Sequence, residues 1–154
     1  MENNDIIRRI RYSFDFDDNK MIQVFALGES KVTRTQISGW LKKDIDPGYI
    51  TLSDFQLAIF LNGLIALKRG KKEGSKVIPE NKLNNNVIFR KLRIAMNLKD
   101  DDILELLKLV DINISKHELS AFFRKPGQSQ YRECKDQILR KFLRGVQMSY
   151  RDNK

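Results

Sequence analysis

Asn3-Asn4-Asp5-Ile6-Ile7-Arg8-Arg9-Ile10-Arg11 stands near the start of the chain and returns 82 residues later as Asn85-Asn86-Val87-Ile88-Phe89-Arg90-Lys91-Leu92-Arg93, with polar and apolar positions in the same order. The correspondence continues without a gap, and 15 of the 64 positions in 3–66 are identical to their partners in 85–148. Others exchange like for like, Trp40 for Phe122 and Leu41 for Phe123. A fixed period of this kind marks a tandem duplication, here of a unit of about 65 residues. The expected organisation is repeat 1 over 1–66, a basic linker over 67–84 and repeat 2 over 85–154.

Each unit reads as four helices, so the expected class is all-α. Ile6, Ile7, Ile10 and Phe14 form one helical stripe, copied as Ile88, Phe89, Leu92 and Met96. Asn3 or Asn4 is the expected cap of that first helix. The second helix starts at Asp17-Asp18 and near Lys99-Asp100. The third opens with a capping box in both copies, Thr33 with Gln36 and Ser115 with Glu118. The fourth carries Leu57, Phe60, Leu61 and Leu64, copied as Leu139, Phe142, Leu143 and Val146. Gly63 and Gly145 lie inside it, where glycine costs about 1 kcal/mol against alanine. Their recurrence points to a close approach between helices.

The net charge of +9 is unevenly placed. Repeat 1 (3–66) has eight Lys/Arg against eight Asp/Glu, repeat 2 (85–148) thirteen against eight, and the connector 67–84 six against two. The excess therefore lies in the second copy and the connector, which favours a polyanionic or acidic partner. No apolar run is long enough to span a membrane, and the polar N-terminus is no signal peptide. With a single cysteine, Cys134, no internal disulfide can form, and the expected location is the reducing cytoplasm.

Several runs resemble those of the YehS-like family of bacterial proteins, which carry two copies of a domain of unknown function. They are Phe60-Leu61-Asn62-Gly63-Leu64-Ile65 with Lys68-Arg69-Gly70-Lys71, Asn84-Asn85-Asn86, Lys91-Leu92-Arg93-Ile94-Ala95, Asp101-Asp102-Ile103-Leu104, and Arg132-Glu133-Cys134 with Phe142-Leu143-Arg144-Gly145. The resemblance covers essentially the whole chain. It implies a cytosolic bacterial protein of duplicated helical fold, and neither an activity nor site residues.

Signs of chemistry are few. His117 is the only histidine, lies in a first helical turn and has no nucleophile at motif spacing, so it reads as a surface imidazole. Cys134, near a helix start, could be a low-pKa thiol, although an isolated reduced cysteine is the simpler reading. Asp15-Asp17-Asp18 and Asp100-Asp101-Asp102 lack the glycine turn and distal glutamate of a calcium loop, and read as helix caps. No enzyme, metal or cofactor is expected. Arg8, Arg11 and Asp54 recur as Arg90, Arg93 and Asp136, and are expected to form structural ion pairs between the first and fourth helices of each unit.

The second and third helices resemble a helix-turn-helix of the phage-repressor kind, with Gly28 near the turn and an Ile37-Ser38-Gly39-Trp40 core run. Its connection is about three residues longer than that pattern, and any helix–loop–helix core gives a similar one. On this reading Arg34, Thr35, Gln36, Lys42 and Lys43 would contact nucleic acid in repeat 1, and Lys71, Lys72, Lys116, Arg124 and Lys125 in the basic half. The leading expectation is thus a module binding DNA or RNA through repeat 2 and the linker. The alternative is a protein–protein adaptor or a homodimerising helical module. A continuous basic face would favour the first, and an exposed apolar patch the second.

Overall fold

The structure, a computed structural model, describes residues 1–71, 74 and 76–152. Among these there are helices and no strands: α1 (Asn3–Phe14), α2 (Asp18–Leu27), α3 (Arg34–Leu41), α4 (Asp54–Arg69), α5 (Asn85–Met96), α6 (Asp100–Lys108), α7 (Lys116–Ala121) and α8 (Asp136–Gln147). A π-helical turn, Met148–Asp152, extends α8. All four helix starts repeat at the 82-residue offset. The sequence-derived duplication of a four-helix unit is the fold.

Local chemistry accounts for the starts. Thr33 Oγ1 accepts from the Gln36 amide at 3.2 Å while Gln36 Oε1 accepts from the Thr33 amide at 2.9 Å. Ser115 and Glu118 form the same reciprocal box in α7. A third box, Ser53 with Gln56, opens α4. Asp17 accepts from the Lys20 amide at the start of α2, and Asp102 accepts from the Lys99 amide at the start of α6. The cap expected at Asn3 or Asn4 is absent: Glu2 holds the N-cap position without a side-chain bond, and in the second copy Asn84 is the cap.

Within each repeat the second helix lies directly on the fourth. A Cβ on Gly63 would stand 1.8 Å from the Val24 carbonyl oxygen, and one on Gly145 would stand 2.4 Å from that of Leu106. Both glycines are therefore required by backbone-to-backbone contact. The aromatic core differs between copies. Phe25 stacks on Trp40 and tilts against Phe60 in repeat 1, while Phe89 takes the corresponding place against Phe122 and Phe142 in repeat 2.

The repeats do not stand side by side as two separate bundles. α4 packs most extensively on α5, and its equivalent, α8 with the π-turn, packs on α1. Within one repeat the first and fourth helices touch only slightly. Each unit thus covers the other's fourth helix with its own first helix, as in a two-fold symmetric dimer. One continuous core results, containing Ile6, Phe60, Phe89 and Phe142 together.

The opening asparagines fasten the rest. Asn4, 1% exposed, donates to the carbonyls of Trp40 (3.0 Å) and Ile50 (2.8 Å) and accepts from the Leu52 amide (3.0 Å). Asn86 repeats this with Phe122 (3.0 Å), Arg132 (2.8 Å) and Cys134 (2.9 Å). A buried amide saturated in this way fixes the segment between the third and fourth helices. Asn3 and Asn85 donate at 2.7 Å to Asp54 and Asp136.

Those last bonds correct the expected ion pairs. Asp54 and Asp136 meet asparagine amides, because each lies at a helix start beside the first turn of α1 or α5. Arg8 and Arg11 lie about 8–12 Å further along that axis. Arg8 pairs with Asp5 and donates to the Lys42 carbonyl at 2.8 Å. Arg11 reaches the Phe16 carbonyl at 3.5 Å. Arg93 pairs with Asp100 at 2.8 Å and lies over the Phe123 ring, whereas Arg90 is exposed without an ion pair among the described residues.

Candidate interaction site

Four of the ten residues nominated for nucleic acid, Arg34, Gln36, Lys71 and Lys116, are engaged elsewhere. Arg34 lies 3.7 Å from Asp18 and donates to Asn19, and Lys116 pairs with Asp101 at 3.1 Å. Lys71 is bound by Glu29. The Gln36 amide is committed to its capping box, while Thr35 is exposed. Lys42 is half-buried at the end of α3, and Lys43, Arg124 and Lys125 are exposed with no ion pair among the described residues. Lys72 lies outside the described residues. Six residues connect α2 to α3, and α7 is only six residues long.

Of the two candidate chemical groups, one is buried and the other exposed. Cys134 is 1% exposed, and burial pushes its thiol up to about 12, with the charge of Asp136 adding to the effect. His117 touches Gln130 at 3.3 Å on the surface. Among the described residues no three His, Cys, Asp or Glu side chains converge as a metal site. No helix among them is long and apolar enough to cross a membrane.

A concave feature lies between the two repeats. A groove of about 600 Å³ opens where the ends of α2 and α4 meet the connector and α5. Leu27, Ile65, Ala66 and Ile94 provide apolar walls, and the connector closes one side with Val77 and Ile78. Val77 is 64% exposed, Ile78 84% and Ile94 45%, so apolar surface faces solvent around the opening. Arg69, Lys71 and Lys76 edge the groove, with Glu29 opposite. Lys71 donates to Glu29 and, by that bond and its charge, holds this exposed carboxyl below its ordinary range.

A polar cluster anchors the connector beside it. Lys91, almost fully buried, donates to Asn62 Oδ1 at 2.5 Å and lies 3.0 Å from Glu80. Asn62 also lines the groove, and its buried amide nitrogen has no hydrogen-bond partner among the described residues. The equivalents of Lys91 and Asn62 are Arg9 and Arg144, so this cluster exists in one copy only. Val77-Ile78-Pro79, an apolar run inside a polar linker, was the legible signal for the groove. Ile65 and Ile94 were not, because only packing of the two repeats brings them together.

Two segments of the chain, 3–70 and 85–152, match the family described as "Protein of unknown function (DUF1456)". The chain belongs to this family. It is also 44% identical over 147 residues to the uncharacterized protein YehS of Escherichia coli (strain K12), a match covering 95% of this chain and 94% of that protein. No solved structure matches. The two family segments meet the groove unequally: its helical walls lie inside them, whereas Lys76, Val77, Ile78 and Pro79 fall between them. The connector therefore adds to the duplicated family unit a surface that neither copy carries.

Proposed function

We propose that the protein is an interaction module without chemistry of its own, acting in the cytoplasm, and that it takes a protein partner at the groove between α4, α5 and the connector. The observation that carries this reading is the exposure of Val77, Ile78 and Ile94 around one apolar concavity. Apolar surface gathered at a groove is characteristic of association sites. The nominated cations weigh against nucleic acid as first choice, since Arg34 and Lys116 already face carboxylates.

The test is a photo-reactive residue at Val77, with a control at Ile45, which is 87% exposed on the connection between α3 and α4. The expected result is a discrete protein adduct from position 77 alone, insensitive to nuclease and lost with Ile94→Ser. Equal adducts from both positions, or adducts removed by nuclease, overturn the reading. An adduct with a second copy of the chain would identify the partner as itself.

Nucleic acid is retained as a second reading because the basic excess lies in repeat 2 and the connector, and Arg124 and Lys125 are exposed without ion pairs among the described residues. Binding of the whole chain to duplex DNA and structured RNA should then fall steeply with salt. Arg124→Gln and Lys125→Gln should each flatten the log–log slope by about one.

A further inference from the structure

Resting on that interaction site, we infer that its occupant is an acidic protein segment, apolar side chains interspersed with carboxylates, and that Glu29 is the built-in competitor such a segment displaces from Lys71. Among the described residues, three cations edge the groove against one carboxylate. Glu29 already occupies Lys71, and the charge of Lys76 acts on the same carboxyl. Arg69 and Lys76 make no ion pair among the described residues. The edge therefore accommodates one carboxylate as it stands and has cationic capacity for more.

The apolar walls narrow the class. None of the described residues lining the groove is aromatic, so they offer no platform on which a base could stack. Ile65, Ile94, Val77 and Ile78 would instead take aliphatic side chains. A basic segment would meet repulsion from the edge and from a chain of net charge +9. Glu29 projects from the surface just beyond α2 and is mostly exposed, so displacing it requires no rearrangement of the core.

The probe is a short fluorescein-labelled peptide alternating leucine with glutamate, titrated by anisotropy into the whole chain at low ionic strength. Arg69→Glu combined with Lys71→Glu should weaken binding about tenfold or more, and Glu29→Gln should tighten it about threefold. Circular dichroism checks that each variant keeps its helices. Equal affinity for a leucine–lysine peptide overturns the proposal, as does an equal loss with Arg124→Glu and Lys125→Glu, which would show only diffuse attraction. Displacement of the peptide by equimolar dodecanoate would assign the groove to a free amphiphile and overturn the peptide class. Protein adducts at position 77 that persist in the Arg69→Glu, Lys71→Glu variant would keep the interaction site and remove its acidic preference. Absence of adducts in the unaltered chain removes the site itself.

Discussion

The amino group of Met1 donates to Asp136 Oδ2 at 2.8 Å, the place that the Leu83 amide takes at Asp54 Oδ2 at 2.9 Å. Met1 and Leu83 are 82 residues apart, as are Asp136 and Asp54. The bond made by a charged terminus in one copy is made by an ordinary peptide in the other. The first joins repeat 1 to the start of α8, and the second joins the connector to the start of α4.

This bond sets a pH dependence. The Met1 ammonium, followed by Asn85, holds the Asp136 carboxyl below its ordinary range. A depressed carboxyl contributes stability above its unfolded value, about 3.9, and that contribution disappears as pH falls through the folded value. Carboxyl carbon NMR should show Asp136 titrating below about 3.9. Acetylation of Met1, which keeps one N–H and removes the charge, should raise it. No change on acetylation would mean the ammonium is not seated there in solution.

Asn4→Ala and Asn86→Ala should be the most damaging of the polar substitutions in α1 and α5. Each strands two carbonyls and an amide, two of them in buried bonds. The expected cost is about 2–4 kcal/mol, or a Tm lower by roughly 4–16 °C in a chain of this size. Thermal denaturation checks both the size and the near-equality of the two effects. Substituting Arg90, which is exposed, should change Tm little.

Gly63→Ala should destabilise even though alanine is the better helix former by about 1 kcal/mol. The new methyl would meet a backbone oxygen at 1.8 Å, so α2 and α4 must separate, at a cost of about 1–3 kcal/mol or more. Gly145→Ala meets its neighbour at 2.4 Å and should cost less. Urea titration of the two variants gives the order, and a stabilised Gly63→Ala would contradict the close approach.

Cys134 should be silent toward thiol reagents in the folded chain. With its thiol at about 12, only about one in ten thousand is ionised at pH 8. The raised value also makes stability decline above about pH 8.5, where the unfolded thiol loses its proton and the folded one does not. Reaction with a chromogenic disulfide should therefore follow unfolding in urea. Fast labelling of the native protein would show that the start of α8 opens freely.

Neither repeat alone should form a stable monomer, since α4 is covered by α5 and α8 by α1. Expressed separately, 1–71 should be unfolded or self-associated, and mixing it with 84–154 should restore the helical signal. Circular dichroism with size-exclusion chromatography decides. For the same reason, binding measurements belong on the whole chain.

The period of 82 residues was legible down to individual helix starts, because the apolar stripes and the capping box of the third helix are local and both copies carry them. What escaped was non-local. The partners of Asp54 and Asp136 could not be read, since charge alone favoured arginine while helix position favoured Asn3 and Asn85. Nor did the sequence reveal that α1 and α5 exchange partners, because a stripe such as Ile6, Ile7 and Ile10 records burial without saying against which copy. The groove was half legible: Val77-Ile78 stands out in its linker, but Ile65 and Ile94 belong to ordinary helices and become neighbours only through that exchange.

Because Met1 occupies at α8 the place of Leu83 at α4, the same path can be traced along both fourth helices. Residues 70–84 lead from the end of α4 back to its start, a run of about 24 Å for sixteen helical residues. A tether of similar length from Asp152 to Met1 would complete the same path along α8. The backbone could then be cut within the connector instead, giving a circular permutant with the same helix contacts and a groove freed of its covalent strap.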